Sequence, residues 1–153
     1  MAQAQLRTKA QVKATSKILS GIGINLGTAI EPFFYNALKD KMALGNIKFD
    51  SIHENVKVKK KNQEAEFDIL MYNGTSQSII DLKHNAQEKD IELLATKKGS
   101  EFRKFFTKYS NHKYYLDIAR FSFPSNLQEL AREKGIAVLK QKGELAYIEF
   151  SKP

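Results

Sequence analysis

Two aspartates and a lysine stand where apolar strands would not need them. In the stretch 65–83, AEFDILMYNGTSQSIIDLK, Asp68 lies among Phe67, Ile69 and Leu70, and Asp81 follows Ile79 and Ile80, with Lys83 two residues on. A carboxylate in an apolar strand is costly unless it has partners or a task. Hard divalent cations take oxygen ligands, and Mg²⁺ commonly uses one or two carboxylates with water and substrate phosphate. Asp68 and Asp81 on neighbouring strands could hold Mg²⁺ or Mn²⁺, and the main-chain carbonyl of Leu82 could add a third oxygen. The Lys83 ammonium could hold an attacking water or stabilise charge developing on a phosphate. Glu66 competes with Asp68 as the first metal acid. Glu31, carried by an earlier helix, is the candidate fourth acid.

Whether these groups meet depends on the turn between them. Tyr72-Asn73-Gly74-Thr75 reads as a hairpin turn, because Asn-Gly readily takes positive φ. A two-residue loop at 73–74 pairs residues whose numbers sum to 147, and a four-residue loop at 73–76 gives 149. Side chains alternate along a strand, so either odd sum puts Glu66, Asp68, Asp81 and Lys83 on one face. The 149 register sets Asp68 opposite Asp81. A three-residue loop without a bulge would part the aspartates. The structural rival is a solvated, ion-paired sheet face, which contributes little to stability.

The elements that must position these residues follow from periodicity. Leu6 to Leu19 carries a thin apolar stripe and reads as a mostly exposed N-terminal helix, which offers a homodimer surface. Ser20-Gly21-Ile22-Gly23 interrupts it. Ile30, Phe33, Phe34, Ala37, Leu38 and Met42 form the apolar face of a second helix, ended by Gly45-Asn46. Thr28 and Glu31 have capping-box spacing, with Pro32 in the first turn; alternatively the helix runs straight through and Glu31 faces a site. Phe49 to Val58 reads as strand. A helical segment then carries Ile91, Leu94, Phe102, Phe105, Phe106 and Tyr109, whose spacing favours core over base stacking. Lys113 to Phe121 predicts a strand, and Ser125 caps a short helix ended by Gly135. Ile136 to Leu139 suits a strand covered on both faces, and Leu145 to Phe150 is the last strand. Together these elements predict one mixed sheet with helices packed on it.

The chain has 153 residues, one domain's worth, with 25 basic residues against 17 acidic and no cysteine. Disulfides and cysteine-held metals are therefore excluded. No secretory signal or spanning helix is legible, which points to a cytoplasmic protein without a membrane partner. The net charge of +8 suits a polyanion, most often nucleic acid. Lys59, Lys60, Lys61, Lys97, Lys98, Arg103 and Lys104 are the candidate phosphate contacts. His53, His84 and His112 lack metal-ligand spacing, and no nucleotide-binding glycine loop or hydrolase elbow is found.

Several of these segments, in this order, resemble the PD-(D/E)xK, restriction-endonuclease-like nuclease superfamily. They are Gly27-x-x-x-Glu31, Glu66-Phe67-Asp68-Ile69-Leu70, Asn73-Gly74, Ile79-Ile80-Asp81-Leu82-Lys83, Phe102-Arg103-Lys104-Phe105-Phe106 and the run Ala131 to Leu139. The resemblance covers roughly Asn25 to Phe150, so it divides the chain into an N-terminal helical extension, 1–24, and a nuclease-like domain, 25–153. It implies a three-layer α/β/α sandwich around a mixed sheet and Mg²⁺-dependent phosphodiester hydrolysis of DNA. Asp68 matches the first acid, Asp81 the second, Lys83 the lysine and Glu31 the helix acid. Glu64 departs from the proline or apolar residue often found before the first acid. No separate specificity domain is recognisable, which favours a structure-selective, repair or mobile-element nuclease over a sequence-specific one. The alternative is a non-catalytic nucleic-acid- or protein-binding module on the same fold.

Overall fold

The structure, a computed structural model, describes residues 26–85, 87–109, 111–142 and 148–153. The expected extension 1–24 and its dimer surface lie outside these residues. Helix α1 (Leu26–Lys41) leads into a two-stranded ribbon, β1 (Ala43–Leu44) and β2 (Ile47–Lys48). Strands β3 (Ser51–Lys60), β4 (Gln63–Tyr72) and β5 (Ser76–Leu82) follow. A helical run then passes through α2 (Glu88–Leu93), a π-wide turn at Leu94–Lys98 and α3 (Gly99–Phe105). After a 3₁₀ turn come β6 (Lys113–Ala119), α4 (Ser125–Glu133), β7 (Ile136–Gln141) and β8 (Ile148–Ser151).

The six long strands form one mixed sheet in the order β3-β4-β5-β6-β7-β8. β3, β4 and β5 are antiparallel, β5, β6 and β7 parallel, and β8 antiparallel to β7. Apolar neighbours along the central strands face opposite ways. Ile69, Met71, Ile80, Ala119 and Leu139 pack with Ile30, Phe34 and Leu38 of α1. Ile118, Ile136 and Val138 pack with Ile91, Leu94, Leu127 and Ala131 of the other helices, and Leu70 and Ile79 with Phe102. The continuous apolar runs are thus strands buried on both faces, and the molecule is the expected three-layer α/β/α sandwich around a mixed sheet.

Three local expectations are corrected. Helix α1 ends at Lys41 with Met42, not Gly45, at positive φ (50°). Gly45 (φ 59°) serves the β1–β2 turn instead, and a Cβ there would come within 2.8 Å of the Phe150 ring. Pro124 rather than Ser125 precedes the first turn of α4, its carbonyl accepting from the Leu127 and Gln128 amides. The 73–76 loop does not use left-handed Asn-Gly, for neither Asn73 nor Gly74 has such a φ. Asn73 Oδ1 accepts from the Thr75 and Ser76 amides, at 2.8 and 2.6 Å, and its Nδ2 donates to Lys48 O, so the side chain closes the turn.

Candidate active site

The loop gives the 149 register, in which Tyr72 pairs with Gln77 and Ile69 with Ile80. The β4–β5 ladder stops at that last pair, although β4 reaches back to Gln63 and β5 runs on to Leu82. β3 stays paired to β4 as far as Lys60–Gln63, and β5 stays paired to β6 as far as Leu82–Ala119. The sheet therefore forks, and Asp68 and Asp81 face each other across the fork. In place of a ladder bond, the Leu82 amide donates to Asp68 Oδ2 at 2.8 Å. The next amide, of Lys83, turns the other way and donates to Ala119 O at 3.0 Å. Amide and carbonyl of one strand residue share a side, so the Leu82 carbonyl also lies on the side of the fork.

Strands β3 and β4 change faces together at this level. Ile52 and Ile69 lie on the α1 side, whereas Val56 and Phe67 lie on the Phe102 side. Strict alternation would keep Ile52 with Val56 and Ile69 with Phe67. Pairing holds one register on both sides, Glu54 to Ile69 and Val56 to Phe67, so no residue is inserted. Between them the opposed Asn55 and Asp68 form no regular pair, and Asn55 takes φ 51°. Its side chain reaches toward α1, where Nδ2 donates to Glu31 Oε1 at 2.6 Å.

The exchange of faces explains where the candidate acids fall. Asp81 and Lys83 share the side of Ile79, toward the helical run, and Lys83 Nζ lies 3.9 Å from Asp81 Oδ2. Asp68 and Asp81 line one cleft of about 320 Å³ with Leu82, Lys83, Lys97 and Lys98. Glu66 departs from the same-face expectation. Glu66 also lines the cleft, but next to Phe67 its carboxylate is turned to the opposite side, 3.8 Å from Lys57 Nζ. Its main-chain carbonyl accepts from Lys98 Nζ. Helix α1 runs straight through Thr28 and Pro32, so the capping-box reading of Glu31 fails. Glu31 instead stands behind Asp68, bonded to Asn55 and beside Glu54.

The electrostatics follow from this crowding. The side chain of Asp81 is only 13% exposed. Burial first, then the Asp68 charge, pushes Asp81 up to about 7, against the pull of Lys83 and Lys98. Burial and Glu54 raise Glu31, with a smaller push from Asp68. A pair of carboxylates held this close favours either a shared proton or a cation.

Among the described residues, no three acid, histidine or cysteine side chains are grouped to hold a metal ion. The donors at the fork, two carboxylates and a backbone carbonyl, are nevertheless the hard oxygens that Mg²⁺ or Mn²⁺ takes, and their number fits an ion that keeps several waters.

The candidate phosphate contacts divide into two groups. Lys97 and Lys98 border the cleft; Lys98 also sits 5.2 Å from the Phe67 ring centroid and 3.8 Å from Glu101 Oε2. Arg103 stacks 4.4 Å over Tyr114, and Lys104 is exposed on the same α3 helix. Lys59, Lys60 and Lys61 are exposed at the tip of the β3–β4 hairpin, which runs on past Asp68. Asn55 and Lys98's main-chain contact were missed in the sequence. The available signal was an asparagine inside a strand pattern, since Asn tolerates a left-handed backbone. Also missed was a buried pair, Ser78 Oγ donating to Asp117 Oδ2, signalled by an acid between Leu116 and Ile118.

No family model and no curated protein matches the chain. Among solved structures, it is similar to the small subunit of a heterodimeric restriction endonuclease, at 15% identity and a TM-score of 0.46, over 91% of this chain and 72% of that one.

Proposed function

We propose that the protein hydrolyses phosphodiester bonds of DNA with Mg²⁺ or Mn²⁺ at the β4–β5 fork. The observation that carries this reading is the cleft that gathers Asp68, Asp81 and Lys83, with Asp81 pushed up to about 7 by burial and its neighbour. Asp68 and Asp81, with the Leu82 carbonyl, would hold the ion. Bound there, it would polarise a phosphoryl oxygen and offset the carboxylates' repulsion. Lys83, 42% exposed, reaches from Asp81 toward solvent, where its ammonium can orient water and stabilise charge gained by the phosphate. Lys97 and Lys98 would hold flanking phosphates, and the exposed hairpin tip would follow the backbone farther on. Glu31 acts behind the site through Asn55. The substrate class we favour is DNA of a particular structure rather than a particular sequence.

The test is cleavage of supercoiled, branched and single-stranded DNA with Mg²⁺ or Mn²⁺. Wild type should cleave, and Asp81→Ala and Lys83→Ala should each lose at least about a hundredfold in rate, as removal of electrostatic groups at reacting centres does. Activity surviving both substitutions rejects the site. DNA binding without cleavage under any of these conditions would support the binding-module alternative instead.

A further inference from the structure

A second cavity lies on the α1 face of the sheet, away from the fork. It holds about 400 Å³ and is walled by Leu44, Phe49, Tyr115, Ala137 and Phe150, with Ser78 and Asp117 among its lining residues. Asp117 and Ser78 are each only 1% exposed. Ser78 Oγ bonds one carboxyl oxygen, Oδ2, and this is the only hydrogen bond of the Asp117 side chain among the described residues. The other oxygen, Oδ1, is not sealed in the core, so it opens on the cavity.

A carboxyl group in the middle of an apolar sheet costs stability, and a serine on one oxygen offsets only part of that cost. Leucine or valine at 117 would pack against Ile80 and Ala137, its cross-strand neighbours, without that cost. The acid is therefore a structural liability at a place where a roomy apolar cavity meets an open acceptor. Cavities with apolar walls and one or two convergent polar groups are the form that small-molecule sites take.

We propose that this cavity binds a small aromatic heterocycle carrying one N–H donor, its ring among Leu44, Phe49 and Phe150 and its N–H on Asp117 Oδ1. One free oxygen selects for a single donor, and the walls, apolar apart from Asn46 and the exposed Lys152, favour an uncharged ring. The site is distinct from the fork and does not depend on cleavage of DNA.

The chain contains no tryptophan, so indole fluorescence can be followed without indole background from the protein. Indole and 1-methylindole are the probes, of nearly the same shape, the second lacking the N–H. Titrated into the full chain, indole should bind about tenfold more tightly than 1-methylindole, the worth of one buried hydrogen bond. Asp117→Leu should abolish this preference, and Ala137→Leu, which fills the cavity, should weaken both ligands. Circular dichroism reports whether each variant folds. Should Asp117→Leu fail to fold, the wild-type comparison and Ala137→Leu still decide. Equal binding of the two probes, no binding of either at millimolar concentration, or an undiminished preference in folded Asp117→Leu would overturn the proposal.

Discussion

Asp81 ordinarily would lose its proton near 3.8, yet in the folded chain it holds it to about 7, because its side chain is buried and Asp68 lies across the fork. The folded state thus binds more protons than the unfolded one between these values, and stability must fall as pH rises through that window. Asp117, buried beside Ser78, is likewise pushed up to about 7 and adds to the same slope. In metal-free buffer, wild type should lose on the order of a few kcal/mol between pH 4 and pH 8 from these two groups. Asp81→Asn should be more stable than wild type at pH 8, with the gain disappearing toward pH 4. Urea denaturation across pH, with chelator present, measures both. A gain that is the same at pH 4 and pH 8 would mean that the carboxylate's charge is not what costs stability. This cost is the physical mark of a group kept for something other than folding.

At the scale of the strand, the decisive device is the joint exchange of faces at Asn55 and Asp68. It turns Phe67 onto Phe102 and Glu66 toward Lys57, and it brings Asn55 to Glu31. Parity along the sequence left two registers open, one with Glu66 and one with Asp68 opposite Asp81, and the four-residue loop gives the second. Parity could not place Glu66, because alternation assumes extended backbone throughout, and one left-handed residue on the neighbouring strand breaks the assumption. Asp68 lies at the break and accepts from the Leu82 amide, whereas Glu66 lies beyond it with its carboxylate beside Lys57. Asn55→Gly keeps the left-handed backbone and loses the bond to Glu31, whereas Asn55→Val loses both. We expect Asn55→Val to cost about 1–3 kcal/mol and Asn55→Gly markedly less, read by urea denaturation. Val tolerated as well as Gly would show that the positive φ is not imposed by the fold. A simpler control on the same principle is Gly135 (φ 75°), where a Cβ would meet nothing within 4 Å, so Gly135→Ala should cost only the backbone strain of about 1 kcal/mol.

Over the whole molecule, hydropathy made the layers legible. Strands apolar on both faces demand cover on both sides, and the helices between them are amphipathic enough to supply it. The fork was not legible, because nothing in β4 or β5 alone says where their ladder ends; it ends where the Asp68 carboxylate takes the Leu82 amide in place of a ladder bond. The fork also orders the basic residues. Lys97 and Lys98 lie in the cleft, whereas Lys59, Lys60 and Lys61 lie at the far tip of the hairpin. If DNA crosses the fork, these two groups should behave differently. Binding should be measured by anisotropy with cleavage-deficient Asp81→Ala protein, from about 50 to 200 mM salt, where each phosphate contact contributes close to one to the slope of log affinity against log salt. Replacing the three hairpin lysines by alanine should reduce the slope by about 1 to 3. In a background that keeps Asp81, it should leave the cleavage rate at saturating DNA nearly unchanged. Replacing Lys97 and Lys98 should reduce both the slope and the saturated rate, since both border the cleft and Lys98 also braces the Glu66 carbonyl of β4. Equal effects of the two sets on the saturated rate would place the scissile bond elsewhere than at the fork.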